Sequence, residues 1–160
     1  MTNNDILRRI RYVFDLKDSD IKDVLALADV SVSKEQVIAW QKKEEDEAFV
    51  SMTDSELAAF LNGFIALKRG KRDGEQPKPE AKLTNNMVFQ KLRIALNLQA
   101  EDILAIMQRV DFNLSKHELS AFFRKPDHKN YRECQNQVLR NFLMGLQRQL
   151  RPNDSDPEAE

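Results

Sequence analysis

Nine consecutive residues, Arg124 to Arg132 (RKPDHKNYR), carry four cationic side chains, a histidine, a proline and a tyrosine. Guanidinium forks and lysine ammonium groups hold phosphate oxygens well. An aromatic ring among them can stack on a base. Pro126 lacks an N–H and cannot continue a helix, so the charges are read as sitting in a loop. Arg124, Lys125, Lys129 and Arg132 are the expected phosphate ligands, with His128 and Tyr131 beside them. Lys116 and His117 open the preceding helix and are expected nearest to bases or sugars. The plainer alternative is a solvated corner between two helices.

Other chemistry is thinly supplied. A metal centre needs several Cys, His or carboxylate ligands at suitable spacing. The chain has one cysteine, Cys134, and two histidines, and lacks Cys-x-x-Cys and His-Glu-x-x-His, so no cofactor or metal is expected. Cys134 follows His128 by six residues and could form a nucleophilic pair with it. No oxyanion donors or orienting third group can be identified beside them. The carboxylates of KKEEDE, Lys42 to Glu47, are spread as on a solvated helix end, not paired for acid–base work. Glycine-rich phosphate loops and nucleophile elbows are absent from the sequence. The expectation is a binding protein without catalysis.

The elements that position these residues are helices. Gly and Pro number only 4 and 5, and β-branched runs are scarce. Hydrophobic residues make up 41% and charged residues 32%, too apolar for a disordered chain. No apolar run reaches the roughly 18 residues that span a bilayer. The opening MTNNDILRRIRY lacks the apolar stretch of a secretory signal. With a lone cysteine, this favours a reducing cytoplasm. The net charge of −1 conceals an imbalance. Residues 84–151 hold 11 Lys+Arg against 6 Asp+Glu, a net of +5, and residues 152–160 hold 4 Asp+Glu and no base. An anionic partner for the second half follows from that asymmetry.

One unit is written twice. TNNDILRRIRYVFDLKDSDI begins at Thr2, and TNNMVFQKLRIALNLQAEDI begins at Thr84, an offset of 82. The register pairs Arg11 with Arg93, Asp29 with Asp111, Ser33 with Ser115, Trp40 with Phe122 and Gly63 with Gly145. A common fold for both units follows. Each unit reads as four helices, so the fold class is all-α, a tandem repeat. In unit one, helix one covers about Asn4 to Leu16, with Asn3 or Asn4 as its cap. Helix two covers about Ser19 to Ala28. Ser33-Lys-Glu-Gln and Ser115-Lys-His-Glu are capping boxes for helix three, and Thr53 with Glu56 is another for helix four. Gly63 is expected to permit close helix contact, since a helical glycine otherwise costs about 1 kcal/mol relative to alanine. Helices two and three, DIKDVLALADVSVSKEQVIAWQKK, look like a helix-turn-helix. Asp29 stands where a glycine is commonest in that motif, and the first buried residue, Val37, comes late. Ordinary helical hairpins are common in all-α proteins.

The organisation read from this is unit one at 1–69, a Gly/Pro/charge-rich linker at 70–83, unit two at 84–151 and an acidic, disordered tail at 152–160. Units of this size bury a modest core, so they are expected to dock, about a pseudo-two-fold axis. The linker is long enough to allow independent motion instead. Tyr131 aligns with Phe49, which favours a shared core anchor over a stacking surface. The loop of unit one, Glu44 to Glu47, opposes the basic loop in sign and could face it within a chain or between chains.

The paired TNN starts, FLNGFIALKRGK and LSAFFRKPDHKNYRECQNQVLRNFLMGL resemble the YehS-like family of bacterial cytoplasmic proteins of unknown function. The resemblance spans all but the linker and tail. It implies a duplicated helical unit and carries over no catalytic residue. Read with the residues, it leaves nucleic acid, DNA or RNA, as the first partner, held by the basic face of unit two. The alternative is a protein-interaction adaptor or self-associating scaffold with an apolar groove between the units, joined by a protein partner or a second copy.

Overall fold

A computed structural model describes residues 1–152. The tail assigned to 152–160 lies, from 153 onward, outside the described residues. Among the described residues the chain forms eight α-helices and no strand. Unit one holds α1 (Asn3–Val13), α2 (Asp18–Leu27), α3 (Lys34–Trp40) and α4 (Asp54–Arg69). Unit two holds α5 (Asn85–Leu96), α6 (Ala100–Gln108), α7 (Lys116–Phe122) and α8 (Asn136–Leu150). The all-α tandem repeat expected from the sequence is the fold of the protein.

The repeated local signals do repeated work. Ser33 and Ser115 each accept a hydrogen bond from the backbone three residues on. The box closes fully at Ser115 with Glu118 and at Thr53 with Glu56. Gln36 does not reach back to Ser33, so unit one keeps only the forward half of that box. Asp29 and Asp111 both take left-handed backbone (φ 61° and 55°) at the turn after α2 and α6. A short polar side chain tolerates that conformation better than most, which explains aspartate where glycine is commonest.

Asn3 and Asn4 are not the caps of α1. Thr2 caps it, accepting from the Asp5 N–H at 3.0 Å, and Thr84 caps α5 in the same way. The asparagines instead reach across the unit. Buried Asn4 donates to the carbonyls of Trp40 (2.8 Å) and Val50 (2.9 Å) and accepts from the Met52 N–H (2.9 Å). Asn86 repeats this with Phe122 (3.0 Å), Arg132 (2.7 Å) and the Cys134 N–H (2.9 Å). Each ties the end of the third helix to the segment returning toward the fourth. The same bonds correct the reading of Pro126. The helix α7 ends at Phe122, ahead of the proline, and α3 ends at the matching Trp40 with no proline nearby. The asparagine that takes the terminal carbonyl is common to both ends, satisfying a group that a helix end otherwise leaves open.

Gly63 and Gly145 are where the long helices cross. A Cβ on Gly63 would overlap the Val24 carbonyl of α2, and one on Gly145 would overlap the Ile106 carbonyl of α6. Backbone meets backbone at these points, which is the close approach the two glycines allow.

The two units dock. Helix α4 lies along α5, and α1 lies against α8, a reciprocal pairing of first with fourth helices. One hydrophobic cluster runs through both units, from Leu7, Trp40 and Phe60 to Phe89, Leu92 and Phe142. Polar ties close the rim. Arg9 donates to Gln147 at 2.6 Å, and Arg151 donates to the Tyr12 carbonyl at 2.7 Å. The linker is pinned rather than slack. Asp54 accepts from the Leu83 N–H at 2.9 Å, Glu80 pairs with Lys91 at 3.0 Å, and Lys71 pairs with Asp29 at 3.5 Å.

Candidate nucleic-acid interface

The segment from Phe123 to Cys134 is anchored at both ends by Asn86 and folded on itself between them. Its turns are backbone turns: the His128 N–H donates to Lys125, and the Tyr131 N–H donates to His128. The Asn130 N–H also donates to His128 Nδ1 at 3.0 Å. In unit one Asp46 fills the same place, with the Ala48 N–H on its carboxylate at 2.8 Å. His128 therefore shapes the turn in the first instance, so its sequence-based role as a ligand is secondary.

Arg124, Lys125, Lys129 and Arg132 are all exposed. Among the described residues no carboxylate stands within ion-pair distance of any of them. Arg124 and Lys125 converge on one groove of about 700 Å³ between α5 and the segment, with Met87, Ile94, Phe123 and Tyr131 also in its lining. Arg132 lies toward α7. Glu118 is held below the usual carboxylate range by bonds from Ser115, with a smaller contribution from the Arg132 charge. His117 is exposed at the start of α7. Lys116 is exposed as well but is already engaged, with its ammonium 2.8 Å from Glu101. That hydrogen bond is the main cause holding Glu101 below its ordinary value. The eight residues singled out in the sequence thus divide between a groove face and an α7 face.

Tyr131 is not a core anchor. It is half-buried and faces the groove, and its counterpart Phe49 is half-buried too. Partial burial raises the Tyr131 pKa, with Glu133 adding to the effect. Sequence reasoning missed Phe123, Met87 and Ile94, although Ile94, 44% exposed, is an outward apolar residue on an amphipathic helix. The α1–α8 seam has a cleft of about 140 Å³ beside Arg9 and Arg140, and the groove of about 700 Å³ lies on the α4–α5 side, lined mainly by unit two with Ile65 from α4.

The matching face of unit one is built differently. Arg8 bridges to Asp5 at 2.5 Å and donates to the Lys42 carbonyl at 3.0 Å, lying across the place where unit two is open. Met87 and Gln90 occupy the equivalent positions in unit two. Glu44 to Glu47 are exposed, and no described cation pairs with them, so the acidic loop does not cover the basic one within the chain.

Cys134 offers no nucleophile. It is 4% exposed, it takes the core position that Met52 takes in unit one, and burial pushes its thiol up to about 12. The reactive species is the thiolate, so iodoacetamide at pH 8 should leave the folded protein unmodified and alkylate it in denaturant, as read by intact mass. Rapid labelling of the native state would contradict this burial. Since the folded pKa lies above the unfolded one, stability should fall as pH rises from about 9 toward 12, where only the unfolded chain loses the proton.

These features define a duplicated helical protein with one open, basic face. Family comparison agrees with the duplication, matching one model twice, at residues 3–70 and 85–151. The chain belongs to that family, described as a protein of unknown function (DUF1456). It is similar to the "Uncharacterized protein YehS" of Escherichia coli (strain K12), with 46% identity over 147 residues, covering 91% of this chain and 94% of the relative. No solved structure matches the chain. No helix among the described residues is long and apolar enough to cross a membrane.

Proposed function

We propose that the chain is a non-enzymatic nucleic-acid-binding protein of the bacterial cytoplasm that uses the basic face of its second unit. One observation carries the reading. Arg124, Lys125, Lys129 and Arg132 stand exposed without a carboxylate partner among the described residues, while the matching loop of unit one carries Glu44, Glu45, Asp46 and Glu47. A cationic surface left unneutralised favours a polyanion, because each phosphate contact releases condensed counterions. The Asn86 bonds at both ends of the segment support it further, since they hold the stretch that carries the four cations.

The test is a binding titration with fluorescent DNA and RNA across a salt series. Four phosphate contacts should give a slope of about −3 to −4 in log K against log salt on duplex DNA. Charge reversal of Arg124 and Lys125 to glutamate should flatten the slope by about 2 and abolish binding at physiological salt. Salt-independent binding, or none at low salt, would end the proposal.

A further inference from the structure

The groove has a second property that phosphate binding alone does not use. Two further depressions share lining residues with it. One shares Phe123, Arg124 and Lys125 with it, and the other shares Gln90 and Ile94 and is edged by Arg69 and Arg93. Through these shared residues the three depressions adjoin as a track along α5, with Arg69, Arg93, Arg124 and Lys125 among aromatic and aliphatic side chains. Glu80, paired with Lys91, and Glu133 and Asp127 also line them. The Arg93 guanidinium lies over the Phe123 ring, 4.7 Å from its centre.

That stack arises from a difference between the repeats. In unit one the equivalent Arg11 pairs with Asp18 at 3.5 Å, and Gln41 donates to the same carboxylate at 2.9 Å. In unit two Ala100 replaces the aspartate and Phe123 replaces the glutamine. Among the described residues Arg93 has no carboxylate partner. It donates to the Leu98 carbonyl, at 3.3 Å, and rests on an aromatic face. At the next position along, Met87 and Gln90 replace the Asp5–Arg8 bridge, and the track stays open. Two charge-neutralising devices of unit one are therefore replaced, at matching positions, by apolar and aromatic surface beside free cations.

We infer that this track takes a single strand of nucleic acid, with unpaired bases against Phe123, Tyr131 and Met87 and the sugar-phosphate chain along Arg93, Arg124 and Lys125. The inference rests on the nucleic-acid reading above and narrows it. Duplex DNA presents no exposed base face to such a floor, whereas aromatic platforms edged by cations suit unpaired bases. The α7 face is a poor rival entrance for a duplex. The helix has seven residues, Lys116 at its start is tied to Glu101, and Glu118 adds a negative charge beside it.

The experiment compares the full chain's affinity for three fluorescein-labelled probes: a mixed-sequence single strand of about 12 nucleotides, its duplex, and an abasic strand of the same length. The intact single strand should bind about tenfold or more tightly than the abasic strand, and more tightly than the duplex. Phe123→Gln installs the residue unit one carries at that position, which the fold accommodates there. It should bring the ratio of intact-strand to abasic-strand affinity toward one, and Tyr131→Ala should act in the same direction. Equal affinity for intact and abasic strands, or a preference for duplex, would overturn the single-strand inference and leave the phosphate reading standing. No binding to any probe at low salt would overturn both.

Discussion

Replacing Gly63 by alanine should destabilise the fold by about 3 kcal/mol. Elsewhere in a helix the same change gains about 1 kcal/mol, because alanine is the better helix former. Here the new methyl would occupy the space of the Val24 carbonyl, with Val24 Cγ1 only 3.1 Å away. A carbonyl in the last part of α2 cannot withdraw without breaking helical hydrogen bonds, so α2 and α4 must part. Gly145→Ala should behave alike, since its methyl would meet the Ile106 carbonyl and, at 2.7 Å, Ile106 Cγ2. The sign is the diagnostic, read as a lower urea midpoint at constant slope. A raised midpoint in either variant would show that the helices are further apart than described.

Losing Asn86 should cost about 3–5 kcal/mol, because Asn86→Ala strips partners from the Phe122 and Arg132 carbonyls and the Cys134 N–H at once, and each buried orphan carries its own desolvation penalty. Asn4→Ala should match it through Trp40, Val50 and Met52. Asn3→Ala should cost far less, since its partners, the Met52 carbonyl and Asp54, lie in a part-buried setting. Hydrogen exchange separates this account from general weakening. In Asn86→Ala the Cys134 amide should lose protection well beyond neighbouring amides of α8. Uniform loss, or none, would contradict the assigned bonds. The same variant should weaken nucleic-acid binding, because the basic segment would lose both its anchors.

The comparison of sequence with structure has a physical pattern. Features that depend on neighbours three or four residues apart are readable in the sequence: the Ser33, Ser115 and Thr53 caps and the helical periodicity. The duplication was readable because one register holds across both units. The glycines were readable because a helix interior gives them no other purpose. Asn3 and Asn4 pass for caps in the sequence because their true partners lie 36 to 51 residues away, a distance at which spacing says nothing. Tyr131 was placed in the core by alignment with Phe49, yet alignment shows only that two positions match, and both are half-buried. Lys116 looked free because Glu101 sits on the previous helix. The Arg93–Phe123 stack was hidden for a related reason. Its cause, Ala100 in place of Asp18, is visible in the sequence, but its meaning requires knowing that the three positions meet.

Photocrosslinking bears most directly on the claim that unit two carries the binding face. The full chain, bound to a single-stranded oligonucleotide at low salt, would be irradiated, digested and mapped by mass spectrometry. The account predicts crosslinks in the peptide bearing Phe123 and Tyr131 and along α5, lost when Arg124 and Lys125 are reversed to glutamate. Crosslinks concentrated on unit one, at Phe49 or Tyr12, and indifferent to that reversal would contradict it.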